Sequence, residues 1–251
     1  MIEGLVELKN NTVVKNDDNY FITDNCDIKV NSNCNIYDFS NDKKINVEVE
    51  SGATVNYYII NSANNERSFK VNGTLNVLEI SLNKAVDSLS ISLEKENANT
   101  YVRNLAIANN KEIVFKQNAI HNYSSTFSNI ENIGIAFDNG NITFDTTGKI
   151  EKGKNKSKCS QLSRGIVMDN TSTITAKPIL LIDEFDCFAN HGASIGKMSD
   201  EDLFYLMSRG LTKDEAFLLI LQGIVKPFVD GIPNEELRNN ISESVNKLIL
   251  K

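Results

Sequence analysis

Residues 177–216 read KPILLIDEFDCFANHGASIGKMSDEDLFYLMSRGLTKDEA. Lys177-Pro178 opens an apolar strand, and Asp183, Glu184 and Asp186 make an acidic turn after it. A glycine-flanked loop, His191-Gly192-Ala193-Ser194-Ile195-Gly196, follows. Then the character changes. Ser199 is a good N-cap, and Asp200, Glu201 and Asp202 place negative charge in a first helical turn, where the helix dipole favours it. Arg209-Gly210 supplies a basic last turn and a glycine C-cap. Thr212 with Glu215 three residues on is a capping box that starts a second helix. One stretch of forty residues thus carries the chain from strand to helix.

Outward toward the C-terminus, the second helix presents Ala216, Phe217, Leu219, Ile220, Leu221 and Ile224, a face wide enough for two contacts. Pro227, Gly231 and Pro233 are read as breaks. A last helix from about Asn234 carries Leu237, Ile241, Val245, Leu248 and Ile249 on one stripe, which needs a partner surface.

Outward toward the N-terminus, period-two alternation dominates. Ile45-Asn46-Val47-Glu48-Val49, Phe69-Lys70-Val71, Leu75-Asn76-Val77 and Leu89-Ser90-Ile91-Ser92-Leu93 read as half-buried strands. Turn clusters separate them: Asn16-Asp17-Asp18-Asn19, Asn31-Ser32-Asn33, Ser62-Ala63-Asn64-Asn65 and Asn72-Gly73. The first 150 residues hold 28 of the 35 asparagines, enough for side-chain amides to stack into ladders at the corners. Two-residue hairpin signals are few, Asn72-Gly73 and Asn139-Gly140, and tryptophan is absent. These features favour a solenoid, but no strict repeat is visible, and a sandwich has equal standing on these grounds.

With 251 residues, 41% hydrophobic and 24% charged, the chain is long enough for one elongated globular domain, or one domain with a small appendage. A formal net charge of −7 is the wrong sign for a nucleic-acid binder. Residues 1–10 show no basic segment followed by an apolar core, and runs such as Phe217 to Leu221 fall far short of the ~20 residues of a membrane span. The expectation is a cytoplasmic protein, not membrane-embedded. Its four cysteines (Cys26, Cys34, Cys159, Cys187) are dispersed, without a CxxC pair, and are read as free thiols. No phosphate-cradling loop with Lys-Ser/Thr is present, so ATP hydrolysis would belong to a partner.

The 177–216 stretch resembles the C-terminal core of the SufB/SufD family of iron–sulfur cluster assembly proteins. The likeness rests on Lys177-Pro178, Asp183, Asp186, His191-Gly192-Ala193-Ser194-Ile195-Gly196, Phe204-Tyr205-Leu206 and Ser208-Arg209-Gly210, in that order. Weaker likeness falls at Ala119-Ile120-His121 and at residues 161–168. The resemblance implies a mainly β protein: a right-handed parallel β-helix over residues 1–198, with a C-terminal α-helical segment over residues 199–251. It implies a non-enzymatic scaffold carrying a transient iron–sulfur cluster at a subunit interface. The partners implied are a SufC-like ABC ATPase, a second copy of the chain (a homodimer) or a SufB/SufD paralogue, and a sulfur donor protein. The ATPase would dock on the helices, at Phe204, Tyr205, Arg209, Phe217 and Ile220. The chain reads as a short, minimal member. Aligned on Lys177-Pro178, the cysteine of SufB-like members falls near Ser163, and Cys159 is four residues early; the histidine in the loop sides with SufD-like members. A SufD-like accessory without its own cluster is therefore the alternative.

A nascent cluster needs thiolate or imidazole ligands, with carboxylate as a supplement. The candidates are His191, Cys187, Cys159 and Glu184. Cys187, four residues before His191, could approach it on a strand or in a tight loop, with burial of the thiol by strand alternation as the alternative. Cys159 follows Lys152, Lys154, Lys156 and Lys158, whose charge would lower its pKa. His121 is read as a packing or interface residue, Cys26 and Cys34 as structural, and Arg209 as bonding helix-end carbonyls or an acid. A β-helix acting on carbohydrate would need convergent carboxylates and aromatic platforms; here the acids are scattered.

Overall fold

The computed structural model describes residues 4–61 and 63–249. Residues 1–3, Ser62 and the side chain of Ile249, which enter the sequence reading above, lie outside the described residues. Among the described residues there are seventeen strands and three helices. The strands run in chain order as β1 (Val6–Glu7), β2 (Thr12–Val14), β3 (Asn19–Ile22), β4 (Cys26–Val30), β5 (Cys34–Asp38), β6 (Lys44–Val49), β7 (Thr54–Ile60), β8 (Glu66–Val71) and β9 (Thr74–Ser81). They continue as β10 (Ala85–Leu93), β11 (Asn99–Asn109), β12 (Glu112–His121), β13 (Phe127–Phe137), β14 (Asn141–Ile150), β15 (Lys158–Val167), β16 (Thr173–Ile182) and β17 (Phe188–Lys197). The helices α1 (Asp200–Ser208), α2 (Lys213–Val229) and α3 (Glu235–Ile249) follow.

Odd strands form one nine-stranded sheet in the order β1-β3-β5-β7-β9-β11-β13-β15-β17, and even strands form an eight-stranded sheet. Each odd strand pairs in parallel with the next odd strand, so the chain alternates between two sheets as it winds. This is a flattened parallel β-helix. The coil is not of constant length. Val6 pairs with Tyr20, 14 residues on, whereas Asn141 pairs with Thr173, 32 residues on. The solenoid therefore widens from a narrow N-terminal end to a broad C-terminal end, and no residue repeat survives in the sequence.

Alternation puts one side chain in two inside the coil. There Ile22, Val30, Ile36, Ile45, Val55 and Phe69 are fully buried, each contributing roughly 1.5–3 kcal/mol. Where an odd strand is covered on both faces its sequence stops alternating: Tyr57-Tyr58-Ile59-Ile60, Leu105-Ala106-Ile107 and Ile135-Ala136-Phe137 are buried without interruption. The cover is helical. Leu221, Val225, Phe228 and Val229 of α2 and Leu237, Ile241 and Val245 of α3 join Tyr58, Ile80, Leu105 and Ile135 in one cluster. Arg103 of β11 lies 4.5 Å from the Phe228 ring centroid and fixes the helix on the sheet.

The asparagines act in two ways. On the strand faces Asn19, Asn35, Asn56 and Asn76 form an amide ladder with steps of 2.8, 3.0 and 2.9 Å. Corner asparagines do not stack as the sequence suggested. They accept a backbone N–H from a neighbouring coil: Asn25 Oδ1 from Lys44, Asn33 Oδ1 from Thr54, Asn61 Oδ1 from Leu82. Asn61, Asn64, Asn97, Asn110 and Asn139 also adopt positive φ, which Asn tolerates. Asn72-Gly73 and Asn139-Gly140 are not hairpins; every strand pair is parallel. They are corners pressed on the previous coil, where a Cβ at Gly73 would meet Ala53 O at 2.4 Å and one at Gly140 would meet Ala108 O at 2.1 Å.

The N-caps hold as read, but the last turn of α1 holds no basic residue: Arg209 is the C-cap itself, and Gly210 follows it at positive φ. Ser199 accepts from the Asp202 N–H, and Thr212 and Glu215 bond reciprocally. Pro227 does not break the chain. It sits in the last turn of α2, where the i−4 residue is Gly223, and the helix ends at Asp230 and Gly231.

Candidate functional site

The two ends of the coil differ. At the narrow end the edge strands β1 and β2 are two and three residues long. At the broad end β16 and β17 are ten residues each, and each pairs with a single neighbour, β14 or β15. Long strands with one unpaired backbone edge invite pairing with another chain. Their side chains match: Ile179, Leu181, Phe185, Phe188 and Ile195 are 42, 51, 99, 58 and 42% exposed.

Register tells which side chains face the mouth of the coil. Cys159, Gln161 and Ser163 of β15 are buried inside it, and they pair with Ala189, His191 and Ala193 of β17. His191 thus continues an inward-facing column and is exposed because no further coil covers it. It lies within a strand, not in a loop; the loop reading failed because a glycine-rich edge strand carries turn composition. Across the mouth, Pro178, Leu180 and Ile182 of β16 continue the inward columns of Thr146, Gly148 and Ile150.

The other candidates are held apart. Cys187 lies at the corner before β17, half-buried, its thiol donating to Glu184 O at 3.1 Å. The strand from Phe188 on rises ~3.3 Å per residue, so Cys187 and His191 are separated by about 10 Å or more along the chain. Burial first, then the Glu184 and Asp186 carboxylates, push the Cys187 thiol up. Cys159 is 1% exposed, and burial pushes its thiol up against a smaller opposing pull from the Ser128 hydroxyl. The lysines around it do not activate it. Lys152, Lys156 and Lys158 are exposed on the outside of the coil while the thiol points inward. Glu184 braces the corner: Oε1 accepts from the Phe185 and Asp186 N–H at 2.9 and 3.0 Å, and Oε2 from the Gly153 N–H at 2.7 Å. The Asp186 and Gly153 N–H bonds hold its carboxyl below the usual range. Among the described residues no three His, Cys, Asp or Glu side chains converge on one metal position.

Inside the broad half a polar column runs beside the apolar cluster of Phe115, Ile142 and Phe144, which the alternation pattern could have revealed, since Asn104, Gln117, Asn132, Thr146 and Ser163 stand at inward positions. Asn104 Nδ2 donates to Asn132 Oδ1 at 2.8 Å, and Asn132 Nδ2 donates to Thr146 Oγ1 and Ser163 Oγ at 3.2 Å each. His121 is fully buried, with Nδ1 2.7 Å from Thr126 Oγ1 and Nε2 2.9 Å from Ser128 Oγ; burial pulls its pKa down to about 4. It is a packing residue. Cys26 and Cys34 are buried in the narrow half, with pKa values pushed up to about 12 by burial, and are structural.

On the helices, Phe204 and Tyr205 are 74 and 57% exposed, and Arg209 is exposed beside them. Arg209 reaches neither a carbonyl nor an acid with its side chain. It donates to Tyr205 Oη at 3.2 Å and lies over that ring. Phe217 and Ile220 are half-buried. No helix among the described residues is long and apolar enough to cross a membrane.

Comparison with known proteins places this architecture. The family described as "SUF system FeS cluster assembly, SufBD core domain" matches residues 24–224. Iron–sulfur cluster assembly protein SufD of Bacillus subtilis is 36% identical over 116 residues, 46% of this chain and 26% of that protein. SufB of the same organism is 33% identical over 120 residues, again 46% of this chain and 25% of that protein. SufD of Plasmodium berghei is 25% identical over 207 residues, 82% of this chain and 14% of that protein. The chain thus spans about a quarter or less of the length of these relatives. A two-sheet parallel coil closed by C-terminal helices, matched by the family profile over most of its length, belongs to the SufB/SufD family of the SUF iron–sulfur cluster assembly system.

Proposed function

We propose that this chain is a scaffold component of SUF-type assembly that receives a nascent iron–sulfur cluster, its cargo, where the broad mouth meets a second subunit. The observation that carries this reading is the mouth itself: two ten-residue edges flanked by exposed apolar side chains, with the ring of His191 facing into the opening. A partner that pairs with these edges would satisfy their free backbone groups and cover the apolar rim. It would also bring its own ligands next to His191, where the described residues of one chain gather no ligand set. Cys187 and Glu184, which brace the adjacent corner, would supply a secondary thiol and carboxylate only after that corner opens. Cys159, buried and with a raised pKa, would need the mouth to rearrange before it could ligate. The partner is a second copy or a SufB/SufD paralogue, and a sulfur donor protein supplies sulfide.

The helical face of Phe204, Tyr205 and Arg209 is the surface for a SufC-like ATPase, with Phe217 and Ile220 at its inner margin. A SufD-like accessory role, without a cluster of its own, is the second reading. It is favoured by the presence of one accessible imidazole and no convergent ligand set among the described residues.

The test is anaerobic reconstitution of the full chain with ferrous iron and sulfide, followed by visible absorption and size-exclusion chromatography. The expected result is a labile cluster on a dimer, lost in His191→Ala with the dimer intact. Wild type that holds no cluster, with or without an ATPase partner, selects the accessory role and removes the ligand assignments.

A further inference from the structure

A single buried acceptor beside His191 has no partner. Gln161 is 3% exposed and is the direct register neighbour of His191 on the adjacent strand. Both point into the coil, and neighbouring strands lie ~4.8 Å apart, so the two side chains are within reach of each other by rotation about side-chain bonds. The amide end of Gln161 is tied down: Nε2 donates to Ile179 O, on the opposite sheet, at 3.3 Å. That bond orients the carboxamide and leaves Oε1, which has no hydrogen-bond partner among the described residues although it is buried. An orphaned buried acceptor is destabilising by ~1–3 kcal/mol unless something fills it. Space has been made for this arrangement. A Cβ at Gly148 would meet Gln161 Nε2 at 2.9 Å and Cys159 Sγ at 2.3 Å, so the glycine is what lets the glutamine lie across the coil.

We propose that Gln161 is a positioning residue for His191: its Oε1 accepts one ring N–H, which fixes the tautomer and presents the other ring nitrogen out of the mouth as a neutral acceptor. Ligating histidines need such a partner, because a ring free to rotate and tautomerise loses part of its affinity to disorder. A carbonyl oxygen suits the task, since it accepts without adding charge to a site that must also release its cargo. The inference rests on the reading of His191 as a ligand, and the experiment separates the two.

The chain has two histidines, so long-range 1H–15N spectra of the full chain at alkaline pH give two imidazole patterns. His191→Ala assigns them. Wild type is expected to show one His191 tautomer. Gln161→Leu is expected to show a mixture and Gln161→Glu a single form again, with the His121 pattern unmoved as the check on folding. Cobalt(II), used as the optical probe, should bind 10- to 100-fold more weakly to Gln161→Leu than to wild type, with Gln161→Glu restoring most of the affinity. Tautomer and cobalt affinity unchanged in Gln161→Leu would overturn the proposal. Should that variant fail to fold, a tautomer mixture in wild type overturns it and a single tautomer lost in Gln161→Ala supports it. If wild type shows one tautomer that Gln161→Leu abolishes, yet binds no cobalt, the positioning stands and the ligand reading of His191 falls.

Discussion

The narrow and broad ends of this β-helix are made from the same strand–corner–strand unit and solve opposite problems. The narrow half has strands of two and three residues as its first described ones, and packs aliphatic and aromatic side chains beside a buried ion cluster. In that cluster Arg67 lies 2.7 Å from Asp38 and 3.2 Å from Asp87, and Tyr57 Oη donates to Asp38 at 2.8 Å. The broad half leaves ten-residue edges bare, and in its interior neutral polar groups such as Asn104, Asn132 and Thr146 lie beside an apolar cluster that includes Phe115, Ile142 and Phe144. Short edges give no template for pairing, whereas long apolar ones do. The difference teaches that the capacity for association lies at the broad end, where the long apolar edges are.

The largest expected effect breaks the narrow half. Arg67→Ala leaves Asp38 and Asp87 buried without their cation and should lower unfolding free energy by about 3–5 kcal/mol in denaturant titration. A loss below ~1 kcal/mol would show that the half is held by its aliphatic core alone.

Acid should act on the other half. The His121 pKa falls from 6.5 in the unfolded chain to about 4 in the fold, because burial disfavours the imidazolium. Its contribution is therefore complete above pH 6.5, is lost as pH falls toward 4, and is exhausted below that. The loss amounts to roughly 3 kcal/mol. His121→Asn should flatten the stability profile across this window in thermal melts. An unchanged profile would place the acid sensitivity elsewhere.

A charge at the broad end should affect assembly and not folding. Ile195→Lys puts an unpaired cation in the mouth and is expected to weaken self-association ~100-fold or more by analytical ultracentrifugation. Val6→Lys at the narrow edge should leave it unchanged. Equal effects of the two would erase the asymmetry between the ends. The smallest effect sharpens the contrast: Asn56→Ala removes one rung of the amide ladder and should lower stability by about 1 kcal/mol, with no change in association.

Much of this was legible before folding is considered. Ser199, the Thr212–Glu215 box and the Leu237–Ile241–Val245 stripe announce their helices because caps and amphipathic faces are set by residues three and four apart. The alternating segments announce strands for the same local reason. The unbroken runs Tyr57–Ile60 and Ile135–Phe137 also signalled that a second layer covers these strand ends, a clue that alternation alone leaves unused. The candidate site was legible only as a set of residue types. Its members were drawn toward one another by their spacing, but Cys187 and His191 are kept apart by an extended strand and Cys159 is turned inward.

By itself, then, the amino-acid sequence determined the alternating strands, the helix N-caps and, through rare residues in a fixed order between Lys177 and Gly210, the kinship with SufB and SufD. Only the tertiary structure decided that the strands coil in two parallel sheets, that the coil widens from 14 to 32 residues, and that His191 stands over Gln161 at an open mouth. The physical reason is range. Capping and alternation act over a few residues, while coil registers join residues 14 to 32 apart with no constant period, and such pairings exist only once the whole sheet has formed.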